Sequence, residues 1–426
     1  MADYSNIPKD QRKLKSSLNE ELPKTSECDI VENLIIGQSG GPSAVINASL
    51  AGVILELRER KFAGKVLGMQ GGIEQYLAGQ PPLDLSQYND EQLHRLAHTA
   101  AAALGSCRVR LVEKDYDRLF SLFEQHQIRY FIYIGGNGSM NTSLRLEQEA
   151  KKRGYNLKCI GIPKTIDNDL YGTDHAPGFP SAARWLVIHT IDSGLDLLSM
   201  RGFDHVKIIE VMGRHAGWLA AATLLARSEI SDPPHIVLVP ELPFDEKVFL
   251  QKVAEVYEQV GCVLVVASEG LRNKEGKFLA ELQAGIAIGR DVNGQALLSI
   301  GEGVSGYLTN LVIKELGLKA RYDKPGTLQR SAACRSSIDL EEALSLGRAS
   351  AKYLLEGMSG VMPALKRISN DPYKYAIEPI SLSEITGRER VITSEFFKNQ
   401  ELDEAKIKEY LAPLIVPKPE IPFRFH

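Results

Sequence analysis

Two aspartates stand two residues apart in "PKTIDNDL" (163–170), Asp167 and Asp169. In an extended segment that spacing turns both carboxylates to one side. One then takes a proton from a substrate hydroxyl while the other holds Mg2+. Lys164 adds a positive charge suited to phosphate oxygens. The same letters also make an ordinary polar turn, so the chemistry needs support from elsewhere in the chain.

Two glycine turns provide it. "GQSGGPSAVIN" (37–47) ends a strand, passes Gly40 and Gly41, and opens a helix near Ser43. Backbone N–H groups and the helix N-terminus there suit an anion. "IGGNGSM" (134–140) repeats the pattern with Gly136, Asn137, Gly138 and Ser139. Neither turn is a Walker A or a GxGxxG motif. Asn137 is a neutral amide where an aspartate would hold a metal better. Further candidates follow the same rule of position. "EVMGRHAGW" (210–218) places Met212, Gly213 and Arg214 after an apolar run, and a guanidinium there suits phosphate oxygens. His215 reads as a helix-start residue. Glu269 in "ASEG" is placed to bind sugar hydroxyls. Arg321 and Arg330 in "RYDKPGTLQRS" are placed to hold an anionic end, and Arg108 in "ALGSCRVRL" to lie across a transferring phosphoryl group.

These residues need a scaffold. Apolar runs at 33–37, 130–135, 157–163, 205–213, 235–241 and 262–270 read as strands. Amphipathic stretches such as 43–60 and 142–154 lie between them. That alternation predicts an α/β fold of parallel sheets with helices on both faces. Ligands in such sheets bind at the carboxyl ends of the strands, where these motifs fall. From about 339 the chain reads as mostly helical.

Composition narrows the classes. The 426 residues suffice for two or three domains. With 50 basic and 54 acidic residues the formal net charge is −4, which argues against a nucleic-acid binder or a polybasic membrane protein. No apolar run is long enough to span a bilayer. The polar N-terminus lacks the apolar core of a secretory signal. Five scattered cysteines without CxxC spacing point to a reducing compartment, and a cytoplasmic location is expected.

Taken in order, the six motifs resemble the phosphofructokinase family over residues 33 to about 350, above all its pyrophosphate-dependent lineage. The resemblance implies two Rossmann-like parallel-sheet domains plus a C-terminal helical segment. An extension (1–29) precedes a phosphate-donor domain (30–175) and a sugar-phosphate domain (176–325). Residues 326–426, mostly helical, return to the first domain. It implies Mg-dependent transfer of a phosphoryl group to O1 of fructose 6-phosphate by a homodimer or homotetramer. In those terms Asp167 is the general base, and Thr165 contacts the sugar phosphate. Asp169, with Asn137, holds Mg2+. Met212, Gly213 and Arg214 bind substrate, Glu269 the sugar hydroxyls, and Arg321 and Arg330 the 6-phosphate. Arg108 bridges the moving phosphoryl group, Lys164 helps neutralise it, and Gly40, Gly41, Gly136, Gly138 and Ser139 line the donor site.

Gly138 and Lys164 point to different donors. Pyrophosphate users typically carry an aspartate at the position of Gly138, where it takes the place of a nucleotide α-phosphate. Glycine removes that bulk and charge. Lys164 is the residue that pyrophosphate users carry. On the steric ground ATP is the expected donor, with pyrophosphate as the alternative. His205 stands where regulated bacterial enzymes have an arginine that reaches a neighbouring subunit's substrate. Ala51 and Leu55 replace effector-binding arginines, so no effector control is expected at that helix. Sedoheptulose 7-phosphate as acceptor, or a non-catalytic regulatory subunit, are the competing readings.

Overall fold

"NLIIGQ" carries apolar side chains on both faces, and all six residues of the strand it forms, β1 (Asn33–Gln38), are buried. Leu34 and Ile36 pack on one side of the sheet with Ile132 and Ile134. Ile35 packs on the other with Phe131 and Tyr133. Helices must therefore cover both faces. The computed structural model describes residues 32–282, 298, 301–330 and 334–420. The expected extension, 1–29, lies outside them.

The first sheet has seven strands in the order β11-β10-β5-β4-β1-β2-β3. Its centre is parallel: β2 (Val66–Gly68), β1, β4 (Ile128–Gly135) and β5 (Lys158–Pro163). The short β3 (Leu83–Asp84) closes one edge antiparallel to β2. The second sheet is wholly parallel, in the order β7-β8-β6-β9. Its strands are β6 (Val206–Val211), β7 (Ile236–Leu238), β8 (Val263–Ser268) and β9 (Ala320–Asp323). The helix Phe179–Ser199 follows the first sheet, and Leu186, Val187 and Ile191 pack into the core around Ile209 and Val211.

Beyond residue 326 the fold departs from a mostly helical segment. The helix Ser337–Leu355 is there, but β10 (Val361–Asn370) and β11 (Tyr373–Ser381) then form an antiparallel hairpin on the edge of the first sheet. Long-range pairing at an edge needs only one covered face, so polar residues interrupt the apolar pattern that marks the central strands. The helix Ser337–Leu355 crosses the helix Ile46–Glu59 with backbones almost touching. A Cβ at Gly52 would stand 2.2 Å from the Leu344 carbonyl oxygen, and one at Gly347 2.1 Å from that of Ser49.

The chain does not stay with the first sheet. Ile407, Leu411, Leu414 and Ile415 join the core of the second around Trp218 and Leu219. Between the two, Arg367 pairs with Asp174 at 2.9 Å. His175 is held between Asp174 (2.8 Å) and Glu342 (2.6 Å). Among the described residues no helix is long and apolar enough to cross a membrane.

Candidate active site

Strand register brings the glycine turns level. Gln38 pairs with Ile134, and Gly135 with Pro163, so β1, β4 and β5 end at one edge. The chain leaves that edge at Gly40–Gly41, at Gly136–Ser139 and at Lys164. Gly40 has φ +76, a conformation glycine adopts without penalty. Its N–H donates to the Cys107 carbonyl at 3.0 Å, and Ser106 Oγ donates to the Gly40 carbonyl at 2.6 Å. Arg108, exposed, is thereby held beside the first turn. Lys164 is 3% exposed and donates to the carbonyls of Ser39 (2.9 Å) and Gly41 (2.5 Å). Burial pulls its ammonium down to about 8, and Arg108 and Arg330 push the same way.

Both aspartates lie at this edge, but not on an extended segment. Asn168 between them has φ +57, so "TIDND" is a tight turn. The Asn168 side chain fixes it, accepting from the Ala176 N–H at 3.1 Å. Thr165 Oγ1 accepts from the Asp167 N–H at 3.2 Å. Burial pushes the Asp167 carboxyl up to about 7; Asp169 and Glu269 add to the rise, and Arg330 and Arg214 oppose it. Burial also raises Asp169, against the hydrogen bonds of Thr165 and Asn137. One oxygen of each aspartate, Oδ1, is buried without a hydrogen-bond partner. Two orphaned carboxylate oxygens on one turn fit a hard cation whose remaining ligands come from phosphate. Among the described residues no group of three or more His, Cys, Asp or Glu side chains is arranged to hold a metal alone.

Asn137 opens the helix Asn137–Arg153, and its side-chain amide donates to Asp169 Oδ2 at 3.0 Å. Gly138, next on the helix, faces open space: a Cβ there meets nothing within 4 Å. Arg145, seven residues on, shares its face about 10 Å along the axis. It lines a cleft of about 560 Å³ with Arg110, Val112, Tyr116 and Lys152.

The second sheet supplies the opposite wall. Val211 pairs with Ser268, so Met212–Arg214 and Glu269 emerge side by side. Gly213 has φ +126 and Ser268 donates to its carbonyl. The Met212 N–H donates to Gln329 Oε1 at 3.0 Å, which ties the Arg330 loop to the same place. A Cβ at Gly41 would lie 3.4 Å from Arg330 Nε, so Arg330 bridges both sheets. Burial pushes Glu269 up to about 7; Glu210 adds, and Arg214 and Arg330 oppose. Arg321 is not brought here. It sits on β9 opposite Lys207, at the far end of β6, pairs with Asp204 at 2.7 Å and is 57% exposed. His205 lies at that far end too, its Nδ1 accepting from the Lys319 N–H at 3.3 Å.

The same order of motifs and strand ends defines a known protein family, whose phosphofructokinase profile matches residues 33–354. The chain belongs to the phosphofructokinase family. It is 42% identical to the pyrophosphate--fructose 6-phosphate 1-phosphotransferase of Xanthomonas campestris pv. campestris, over 92% of this chain and 93% of that one. Identity to the protein of the same name from Halomonas elongata is 38%, over 90% and 91%. The crystal structure of a pyrophosphate-dependent phosphofructokinase from Nitrosospira multiformis superposes with a TM-score of 0.81 at 35% identity, covering 92% of this chain and 94% of that one. As a member of this family the chain is a phosphotransferase that acts on a hydroxyl group.

Residues to which the sequence assigns no role also shape the site. Gln329 and Asn168 are buried. Residues 388–392 lie against the aspartate turn: Leu170 bridges Glu389, and the Arg390 N–H donates to the Asp169 carbonyl at 2.9 Å. An Asn between two Asp residues, tolerant of positive φ, is the one local signal of the turn.

Proposed function

We propose that this chain transfers a phosphoryl group from inorganic pyrophosphate to O1 of fructose 6-phosphate, giving fructose 1,6-bisphosphate. One observation carries the chemistry: the buried Asp167 carboxyl, raised to about 7 and with a free Oδ1, faced by Arg214 and Arg330. A carboxylate poised near the working pH is suited to take the hydroxyl proton as the new P–O bond forms. Glu269 binds sugar hydroxyls, Thr165 and the Met212–Arg214 turn orient the sugar phosphate, and Arg330 pairs with phosphate oxygens. Arg108 and Lys164 offset charge on the phosphoryl group. The N-terminus of helix Asn137–Arg153 holds the donor. Asp169, with Asn137 beside it, would hold Mg2+, which supplies charge neutralisation of the donor's phosphates. Positioning and fixed charge do most of the work.

The donor assignment is supported by the name that the Xanthomonas and Halomonas relatives share and by the buried Lys164. A second reading, ATP, is favoured by Gly138, which presents neither the bulk nor the charge that would exclude a nucleotide. Fructose 6-phosphate, Mg2+ and each donor in turn, assayed with the purified full chain, separate the two. Turnover with ATP alone overturns the pyrophosphate assignment. Turnover with neither donor overturns the enzyme reading.

A further inference from the structure

The Tyr410 hydroxyl stands at the centre of a closed set of hydrogen bonds. It donates to the Asp174 carbonyl at 2.8 Å. It accepts from Asn168 Nδ2 at 3.4 Å and from an Arg390 guanidinium nitrogen at 3.0 Å. One donor and two lone pairs are thereby all used. Arg390 returns to the same turn: its backbone N–H donates to the Asp169 carbonyl at 2.9 Å, and its guanidinium reaches the Asn168 carbonyl at 3.4 Å. The guanidinium lies 4.2 Å over the Trp218 ring, and Arg367 lies 4.4 Å over the Tyr410 ring, so neither partner swings freely.

These contacts converge on Asn168, the one residue whose positive φ separates the two aspartates. Asn adopts a left-handed conformation more readily than most residues, but which way its side chain and its neighbours then point is set by the contacts around it. Here the Asn168 side chain is clamped at both ends, by the Ala176 N–H and by Tyr410. We infer that Arg390 and Tyr410, from the C-terminal segment, are positioning residues that set the aim of Asp167 and Asp169 through Asn168. The inference rests on the proposed role of Asp167 as base. Neither residue touches the reacting atoms; each acts through the turn.

Tyr410→Phe removes one oxygen and keeps the ring, so the core packing around Trp218 is retained. Such a variant is expected to lose about 10- to 100-fold in kcat, the scale of a sub-ångström misplacement, with KM for fructose 6-phosphate within about twofold. Arg390→Ala is expected to do the same, and Arg390→Lys to recover part of the loss. Amide hydrogen exchange over residues 165–171, which needs no turnover, is expected to rise in Tyr410→Phe. Wild-type kcat and wild-type exchange in Tyr410→Phe overturn the inference. So does a parallel loss of kcat, substrate affinity and melting temperature, which marks a purely structural role. If the wild-type chain turns over neither donor, the functional reading fails, and the exchange result alone decides whether Tyr410 holds the turn.

Discussion

Asn137 donates its side-chain amide to Asp169 Oδ2 at 3.0 Å and to the Asp169 carbonyl at 3.4 Å. An aspartate at 137 would set two carboxylates against each other instead. Asn137→Asp is expected to lower stability without metal by about 1–2 kcal/mol, from the lost hydrogen bond and the like charge. It is expected to gain more in melting temperature from added Mg2+ than the wild type does, since a ligand that binds only the folded state stabilises it. Thermal melts with and without Mg2+ check this. Equal Mg2+ shifts in both proteins would remove Asn137 from the metal site.

Gly138 has no neighbour within 4 Å of a built Cβ, so a side chain there meets no protein atom. Gly138→Asp should fold normally and place a negative charge in the first turn of the helix Asn137–Arg153, beside the donor's phosphates. Any turnover with ATP is expected to fall more than about tenfold, with pyrophosphate turnover kept, because the carboxylate repels a nucleotide's inner phosphate. Parallel assays with the two donors read the result. An equal loss with both would show that the residue does not select the donor.

Asp167→Asn removes the proposed base and is expected to cost about 10²–10⁴-fold in kcat. The carboxyl sits at about 7 in the folded chain against an ordinary aspartate value of 3.8. The folded state therefore holds the extra proton between those values, and this group makes stability fall as pH rises toward 7. The neutral amide escapes that penalty. Asp167→Asn should melt higher than the wild type at pH 8, with the gap narrowing toward pH 5 and closing only below about 3.8. For the wild type, kcat/KM is expected to rise with pH through about 7, because the base must be deprotonated. A rate profile flat from pH 6 to 8, or a variant melting lower at pH 8, contradicts the assignment.

Lys164 is buried, and its ammonium is held near 8. Lys164→Met keeps the bulk and removes the charge between Ser39 and Gly41. The donor KM is expected to rise about 10- to 100-fold, the worth of a charged hydrogen bond. In the wild type, donor affinity should weaken as pH passes about 8, where the ammonium loses its proton. An unchanged donor KM in the variant would reduce Lys164 to a brace for the glycine loop.

Lys164, Asp167, Arg214 and Glu269 were legible because each follows an apolar run, and a parallel sheet delivers such residues to one edge. The spacing of Asp167 and Asp169 predicts a pair on an extended segment; the two do share one edge, but on a turn, because Asn168 at φ +57 reverses the chain between them. The arm carrying Arg390 and Tyr410 was not legible. Its hairpin, β10 and β11, lies at a sheet edge with many half-exposed residues, and its partners are up to 242 positions away in the chain. Local periodicity does not encode such distances. Arg321 shows the opposite case: only nine residues before Arg330 in the chain, it lies on β9, where register carries it to the far end of β6.

Residues 388–392 make one seam out of the two walls of the cleft. Arg390 is bonded to the aspartate turn of the first sheet. Two residues later the Ile392 N–H donates to Glu241 Oε1 at 2.9 Å, and that same oxygen takes the Gly217 N–H of the second sheet at 2.9 Å. A hinge that opened the walls like jaws would tear this stitching. Substrate therefore enters a cleft whose two walls are tied together at this seam, and the walls part only where the stitching gives.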